Sequence, residues 1–429
     1  MLRFAVPILL GNLFQLFYSL ADTRVVGSTL GETALAAVGA TTSISTLFIG
    51  FLSGLTNGFA ILVAREYGAG SRDGVKRYGA GTLTLGLLTS VVLTIVCIGC
   101  LPVFLRLLNV PEALMEESSS YIRIILLGLV MTMLYNACAG ILRAVGDTAA
   151  ALAFLVLSSI LNVGLDLAFI MIFHMGVAGA ALATVISQSV SAVLSLIYME
   201  KRYEVFRFRL WDFKVSKAEA GQLYASGLSM AAMMSLVFFG TLALQCAINT
   251  FGNDTIVAHT AARKITEFAM LPFSVMGVTM ATYCGQNMGA GKMDRIRAGI
   301  SQAILVTWIW SVGMIVLCYT ASPWMVHLVT GSDNQQVWNT AALYLKVNSA
   351  FYFIPAAISI LRNALQGMGE HRTPVVSSFI ELAGKVAVAL FLAPVLHYFG
   401  IIIAEPIVWA VMVVPLVMQV RRLAYCSYG

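Results

Sequence analysis

The sequence predicts an all-α polytopic membrane protein with twelve transmembrane helices in two six-helix lobes related by a parallel internal repeat. Three observations lead to this fold class: the apolar composition, the distribution of basic residues between loops, and a nearly constant offset between matching motifs. Of the 429 residues, 59% are hydrophobic and 11% are charged, whereas soluble domains carry about 25% charged residues. This composition excludes an ordinary cytosolic enzyme.

Apolar runs long enough to cross a bilayer, which takes about 20 residues, recur along the whole chain. The first run exceeds the length of a signal-peptide core and lacks a cleavage pattern, so it is interpreted as a span. The chain begins almost inside this span, with Arg3 as its only leading charge, which is typical of a start that lacks a short tail. The predicted spans lie at 4–26, 37–64, 79–105, 121–144, 149–172, 176–199, 222–250, 256–284, 299–322, 340–365, 373–395 and 399–420.

Basic residues follow the alternation of these spans. Nineteen of the 26 Lys and Arg residues, among them Arg143 and Arg362, are assigned to loops on one side, and three are assigned to the other side. This asymmetry predicts a multi-pass plasma-membrane protein with both termini in the cytoplasm, and it explains the net charge of +6 without a nucleic-acid partner. The longest polar connection divides the chain into an N-lobe at 1–199, a cytoplasmic linker at 200–221 and a C-lobe at 222–429.

The two predicted halves contain matching motifs. Because each half has an even number of spans, both halves enter the membrane from the same side, and the repeat is parallel. Scattered Gly-rich helix ends would give scattered offsets instead. The matching pairs are Gly31 with Gly252, Gly70 with Gly291 and Asp73 with Asp294 at 221 residues, Tyr121 with Tyr344 and Gly146 with Gly369 at 223, and Gly176 with Gly400 at 224.

Polar side chains form a stripe along the first predicted span. Asn12, Gln15, Ser19 and Asp22 are spaced by 3, 4 and 3 residues, which places them on one helix face. A polar stripe on an apolar helix indicates a water-filled cavity, although Asp22 also lies where it could cap or hydrate the outer helix end. Pro7 removes a backbone hydrogen bond and permits a bend.

A second polar group lies in the fourth to sixth predicted spans. Asn162 and Asp166 are four residues apart on one helix face, and Asn136 and Thr184 can join them. A carboxylate inside a span costs roughly 2.5 to 3.5 kcal/mol on insertion scales, so it indicates a function. Carboxylates with neutral oxygen and amide groups can hold a proton or a sodium ion.

The second half carries charged residues that either line a cavity or pair structurally. Glu381 and Lys385 have i, i+4 spacing, which favours structural pairing, and Glu405 stands alone before Pro406. The further candidates are Arg263, Lys264 and Glu267 at the start of the eighth span and Gln245 in the seventh, of which Gln245, Lys264 and Glu267 are predicted to line a cavity.

Catalytic and metal-binding motifs are absent from the sequence. There is no HExxH motif, no Gly-rich phosphate-binding loop with Lys and Ser or Thr, and no nucleophile elbow. We therefore predict that the chain is not an enzyme, holds no structural or catalytic metal and uses no cofactor beyond a coupling ion, H⁺ or Na⁺.

Six segments together resemble the multidrug and toxic compound extrusion family: PILLGNLFQLFYSLADTRVVGSTLGETALAAVGA, REYGAGSRDG, GQNMGAGK, GILRAVGDT, SSILNVGLDLAFI and MGVAGAALATVISQ. The resemblance runs nearly end to end. It implies a twelve-helix, two-lobe antiporter, expected to be a monomer in the lipid bilayer, that exports cationic or amphipathic small molecules in exchange for protons or sodium.

The resemblance also assigns roles to individual residues. The ion site of the family's N-lobe falls on Asp22, Asn136, Asn162, Asp166 and Thr184, and its bending proline falls on Pro7. The seventh span offers Gln245 and the tenth offers no carboxylate, a pattern that resembles the DinF-like prokaryotic branch.

The chain departs from the family pattern at two places. It has Ala149-Ala150-Ala151 where the family usually has Lys-Thr-Pro, which affects either the cytoplasmic gate or local stability. It has Ala139 where a second asparagine is common, which favours protons over sodium.

Two other classes of function remain open. A flippase or exporter of a dedicated lipid-linked or metabolite substrate would have the same general fold, but it would need a basic central cavity. A membrane-embedded enzyme or a receptor would need a nucleophile or a metal cluster at bilayer depth.

Overall fold

The computed structural model describes residues 2–108, 110–330 and 334–425. In these ranges nine helices are long and apolar enough to cross a membrane, and two bent helix pairs each form one further span. The longest of the nine, Arg372–Leu423, is interrupted at His397, whose φ is 52°. Counting the two sides of this break separately gives twelve spans in the described chain, which confirms the predicted fold class.

The first half contains spans at Leu2–Gly31, Thr33–Gly68, Arg72–Arg106, Glu112–Leu127 with Leu129–Ala144, Thr148–Ile172 and Gly176–Arg202. The second half contains spans at Lys217–Ile248, Asn253–Gly289, Met293–Thr330 and Gln335–Ser349 with Phe353–Gly367, followed by the two parts of Arg372–Leu423. These helices are longer than the apolar runs predict because polar first and last turns continue the helices beyond the apolar segments.

The fourth and tenth spans are bent, which the sequence analysis did not predict. Their two parts meet at 44° and 55°, respectively. In the fourth span the bend falls at Gly128, and the polar segment before the predicted start at 121 is already helical. Ser118 in this segment is buried and donates to the Ala37 carbonyl over 3.2 Å. This hydrogen bond gives the buried serine hydroxyl a partner.

The internal repeat is visible in the backbone. All but Gly176 of the described residues with positive φ in the first half have a counterpart with positive φ in the second half, including two histidines, for which this conformation is unfavourable. Each half also has a π-helical turn near the end of its fifth span, at Ala168–Ile172 and Val388–Leu392. The pairs with positive φ are Gly31 with Gly252, Gly70 with Gly291, Gly146 with Gly369 and His174 with His397.

Contacts divide the chain into two compact units, Leu2–Ala231 and Ala232–Gly429. The unit boundary lies inside the seventh helix, and the lobe limits at 199 and 222 stay predictions. Each unit has its own apolar core, with fully buried side chains that include Phe59, Leu126 and Ile141 in the first and Tyr352, Ala364 and Leu416 in the second.

Small residues let the start of the seventh helix pack closely on the second span. A Cβ atom added to Gly58 would lie 2.5 Å from the Ser226 carbonyl oxygen, and one added to Gly54 would lie 2.7 Å from the Ala231 Cα. Ser226 Oγ donates to the Gly58 carbonyl over 2.7 Å. Backbones that approach this closely need small residues spaced four apart, as in other membrane helix pairs.

The connection between the sixth and seventh spans is docked on the third span. Lys76 and Asp212 form an ion pair of 2.7 Å, and Arg77 pairs with Glu219 at 3.3 Å. The hydrogen bond from Lys76 holds the pKa of Asp212 below its usual range. Phe206 of this connection is buried in the first unit.

We expect the substitution Gly58→Ala to destabilise the first unit by about 1–3 kcal/mol, because the added methyl group meets backbone atoms that cannot move freely. Gly50→Ala on the same helix is the matched control, since a Cβ there meets nothing within 4 Å. Thermal unfolding of the purified variants measures the difference. Equal midpoints for the two variants would contradict the close packing.

Candidate functional site

Two carboxyl groups of the first unit face each other inside the predicted membrane region. Asp22 of the first span and Asp166 of the fifth lie within hydrogen-bonding reach of each other. Asp166 is fully buried, with a relative exposure of 0%. The π-helical turn Ala168–Ile172 begins two residues after Asp166, and such turns often occur at functional sites.

The amide of Asn162 links Asp166 to the sixth span. The orientation that satisfies both ends of this amide places its nitrogen 2.9 Å from Asp166 Oδ2, to which it donates. Its oxygen then lies 3.2 Å from Thr184 Oγ1. Four of the five predicted ion-site residues, Asp22, Asn162, Asp166 and Thr184, therefore lie in one connected group.

Two tyrosines that the sequence analysis missed belong to this group. The Tyr18 phenol forms a hydrogen bond with the Thr184 hydroxyl, and Tyr121 lies near both carboxyl groups. Tyr18 precedes Asp22 by four residues, so helical spacing places it on the same face. Tyr18 was not selected from the sequence, because a tyrosine in an apolar helix usually packs against its neighbours.

The carboxyl pair has no cationic partner among the described side chains. No ion pair to Asp22 or Asp166 forms there, and Oδ1 of each carboxyl group is buried without a hydrogen-bond donor. Ionised carboxylates only accept hydrogen bonds, so two of them in contact need a shared proton or a bound cation. The arrangement can therefore hold a proton or contribute oxygen ligands to a small cation.

The remaining predicted residues of the first half lie elsewhere. Asn136 lines a separate cavity of about 120 Å³ together with Asn12, Gln15 and Pro7. Ser19 is exposed on the described unit. The first helix continues through Pro7, and its non-helical residue is Gly31. Asn136 is thus separated from the carboxyl pair with which the sequence analysis grouped it.

Glu405 in the second unit is fully paired. Arg263 Nη1 donates to its Oε1 over 2.8 Å, and the Tyr344 hydroxyl donates to its Oε2 over 2.9 Å. The sequence shows no partner for Glu405, because Arg263 lies 142 residues away along the chain. His259 and Gln245 line the same small cavity as this ion pair.

Glu381 is bound by two cations at once. Lys385 Nζ donates to Oε1 over 2.9 Å, and Arg362 Nη2 donates to Oε2 over 3.1 Å. The geometry agrees with the structural pairing favoured for Glu381 and Lys385. The assignment of Arg362 to a loop is wrong, because this residue lies inside the tenth span and is buried.

Arg143 was also assigned to a loop, but it lies in the last turn of the helix Leu129–Ala144 and is half-buried. Lys264 and Glu267 form a weak pair at 3.9 Å in which both side chains are more than half exposed. The prediction that Lys264 and Glu267 line a cavity stays a prediction.

Twelve apolar spans together with a carboxyl pair at bilayer depth define a polytopic membrane transporter. A sequence model of the MatE family matches residues 7–168 and 229–391, one segment in each half. The chain therefore belongs to the MatE family, the multidrug and toxic compound extrusion transporters, whose members are transporters and not enzymes. Membership in the DinF-like branch stays a prediction.

Relatives and solved structures agree with this assignment. The chain is 27% identical to the probable multidrug resistance protein YoeA of Bacillus subtilis, over 95% of this chain and 90% of YoeA. It is 24% identical to the probable multidrug resistance protein NorM of Thermotoga maritima, over 89% and 82%. A solved structure described as MATE in the bent conformation has a TM-score of 0.90 at 24% identity and covers 100% of this chain and 96% of its own.

We expect Arg263→Met to destabilise the second unit by about 3–5 kcal/mol, because it leaves the buried Glu405 carboxylate without its cation. Lys264→Met, one residue along the same helix, removes an exposed cation and should change stability by less than about 1 kcal/mol. Thermal unfolding in detergent compares the two variants. A cost for Arg263→Met no larger than that of the control would show that Glu405 does not depend on this pair.

Proposed function

We propose that the chain is a proton-coupled antiporter that exports cationic or amphipathic drugs across the plasma membrane by alternating access. The observation that carries the proposal is the contact between Asp22 and Asp166 without a neighbouring cation. Family membership and the names of the relatives support drug export, and the carboxyl pair supports coupling to an ion.

A shared proton suits this pair better than a sodium ion. One proton between two facing carboxyl groups satisfies a hydrogen bond and removes half of the negative charge. Sodium would need several oxygen ligands, and the nearby amide of Asn162 directs its nitrogen towards Asp166. Ala139 replaces a residue whose amide oxygen could have served as a further ligand.

Proton entry from outside supplies the driving force. Each inward proton is worth about 2.3 kcal/mol per 100 mV of membrane potential, in addition to the pH difference. Protonation of the pair removes charge from the first span, and a bend at Pro7 would change the shape of the first unit. Drug and proton then compete through one conformational equilibrium, which couples their opposite movements.

The proposal includes a location and an orientation. The excess of basic residues in the loops on one side supports cytoplasmic N- and C-termini in a plasma membrane. We further propose that the functional form is a monomer whose chemistry needs no cofactor beyond the coupling ion.

The lipid-linked flippase receives less support. It needs a basic central cavity for an anionic headgroup, for which the sequence offered Arg263, Lys264 and Lys346 of the second half. The Arg263 charge is neutralised by Glu405, and Lys264 is an exposed residue beside Glu267.

The proposal is tested by dye extrusion from proteoliposomes, with a pH gradient and a sodium gradient imposed separately. We expect the pH gradient alone to drive extrusion of a cationic dye such as ethidium. Asp22→Asn and Asp166→Asn should each lower the pH-driven rate at least about tenfold, because an amide cannot release the proton. Asp73→Asn, at an exposed position in the first turn of the third span, should leave the rate unchanged.

Two results would count against this function. Extrusion driven only by the sodium gradient would replace proton coupling with sodium coupling at the same pair. Extrusion that is unchanged in both aspartate variants, with normal folding, would remove the pair from the coupling mechanism.

A further inference from the structure

A polar cavity lies between the first, fourth and fifth spans, apart from the carboxyl pair. Its volume of about 120 Å³ would hold about four water molecules at 30 Å³ each. Neither Asp22 nor Asp166 lines it. Its polar walls include Asn12 and Gln15 of the first span, Asn136 and Arg143 of the fourth, and Thr148 of the fifth.

Arg143 gives this cavity a positive charge. Its Nη2 donates to Asn57 Oδ1 over 3.0 Å, which is a neutral partner. Within residues 2–108, 110–330 and 334–425, Arg143 forms no ion pair. Asp147, the carboxylate nearest in sequence, instead accepts hydrogen bonds from the hydroxyl groups of Tyr198 and Tyr203 over 2.8 and 2.9 Å.

This lack of a carboxylate distinguishes the half-buried Arg143 from the half-buried Arg263 and the buried Arg362. Arg263 and Arg362 each contact a glutamate, at 2.8 and 3.1 Å. A guanidinium group has five N–H donors and remains charged, so one that has a single neutral acceptor can still bind an anion. Arg143 lies in the last turn of its span and lines the cavity, which makes it a candidate for such a site.

The repeat shows that the fold does not require this charge. The residue 223 positions after Arg143 is Gln366, which lies between two matching pairs with this offset, Tyr121 with Tyr344 and Gly146 with Gly369. Gln366 holds the corresponding helix end with a neutral amide, which contacts His371 Nδ1 over 2.8 Å. The positive charge is therefore specific to the first half.

We propose that this cavity binds one carboxylate or phosphate group, held by the free N–H groups of Arg143. Arg143 would bind two oxygens of such a planar or tetrahedral anion in the forked geometry that guanidinium groups favour. The amide groups of Asn12, Gln15 and Asn136 complete the shell with neutral donors. The anion belongs either to a free solute or to an anionic lipid headgroup, which present the same chemistry. The inference does not depend on the proposed proton coupling.

The experiment measures thermal unfolding of the full chain with two kinds of probe. The free-anion arm adds inorganic phosphate or acetate to the detergent-solubilised protein at constant ionic strength. The lipid arm compares nanodiscs of phosphatidylglycerol with nanodiscs of phosphatidylcholine. A ligand that binds only the folded state raises the midpoint.

Four variants isolate the site. Arg143→Gln introduces the residue type found at the equivalent position of the second half, Gln366. Asn57→Asp keeps Arg143 but places a carboxylate beside it, which competes with the anion. Arg143→Lys keeps the charge without the forked geometry. Arg106→Gln removes an exposed arginine on the third span and is the matched control.

For the wild-type chain and Arg106→Gln we expect at least one arm to raise the midpoint by about 2 °C or more. This rise should be smaller in Arg143→Lys and absent in both Arg143→Gln and Asn57→Asp. A rise in the free-anion arm identifies a solute site, and a rise in the lipid arm alone identifies a headgroup site. No rise in either arm, or an equal rise in all variants as from a general salt effect, would overturn the proposal. If Arg143→Gln does not fold, Asn57→Asp decides the outcome.

Discussion

The protein keeps two carboxyl groups in contact at bilayer depth without a cation beside them. Insertion of one charged side chain into the middle of a membrane already costs about 2.5 to 3.5 kcal/mol, and a second like charge adds repulsion. The second unit solves the same problem by pairing, since Glu381 and Glu405 both contact a buried arginine. Asp22 and Asp166 instead have each other, with the Asn162 amide donating to Asp166. This difference separates carboxylates that stabilise the fold from carboxylates that can exchange an ion.

The internal repeat allows equivalent positions of the two halves to be compared, because similar backbones carry different side chains there. Between the pairs Gly146 with Gly369 and His174 with His397 the offset is 223 residues at both ends. The same offset relates Asn162 to Lys385 and Ser158 to Glu381. The second half thus has a lysine ammonium where the first half has a neutral amide. Under the proposed function, the cation of the second half is the Lys385 side chain itself, whereas the first half binds a cation from solution.

Much of this architecture follows from the sequence because its signals are local or periodic. Span number depends on composition, and the grouping of Asn162 with Asp166 depends on helical spacing. Asp22 was selected from its polar stripe, and the resemblance to the family placed it in one site with Asp166. The sequence did not show that Asn136 lines a cavity that Asp22 and Asp166 do not line, because spacing along one helix does not show which neighbouring helix a side chain faces. The spatial pairing of Arg263 with Glu405 was not visible either, since it joins residues 142 positions apart. Arg143 and Arg362 were assigned to loops because, from the sequence alone, a charge near the end of an apolar run does not show whether it belongs to the helix or to the loop.

The account depends most directly on the exchange of a proton for a cation at the carboxyl pair. This exchange can be measured without a membrane by adding tetraphenylphosphonium to weakly buffered, detergent-solubilised protein and recording the pH with an indicator dye. The account predicts release of about one proton per bound cation near neutral pH, and no release from a folded Asp22→Asn, Asp166→Asn double variant. Binding without proton release in the wild-type chain, or equal release from the double variant, would contradict it.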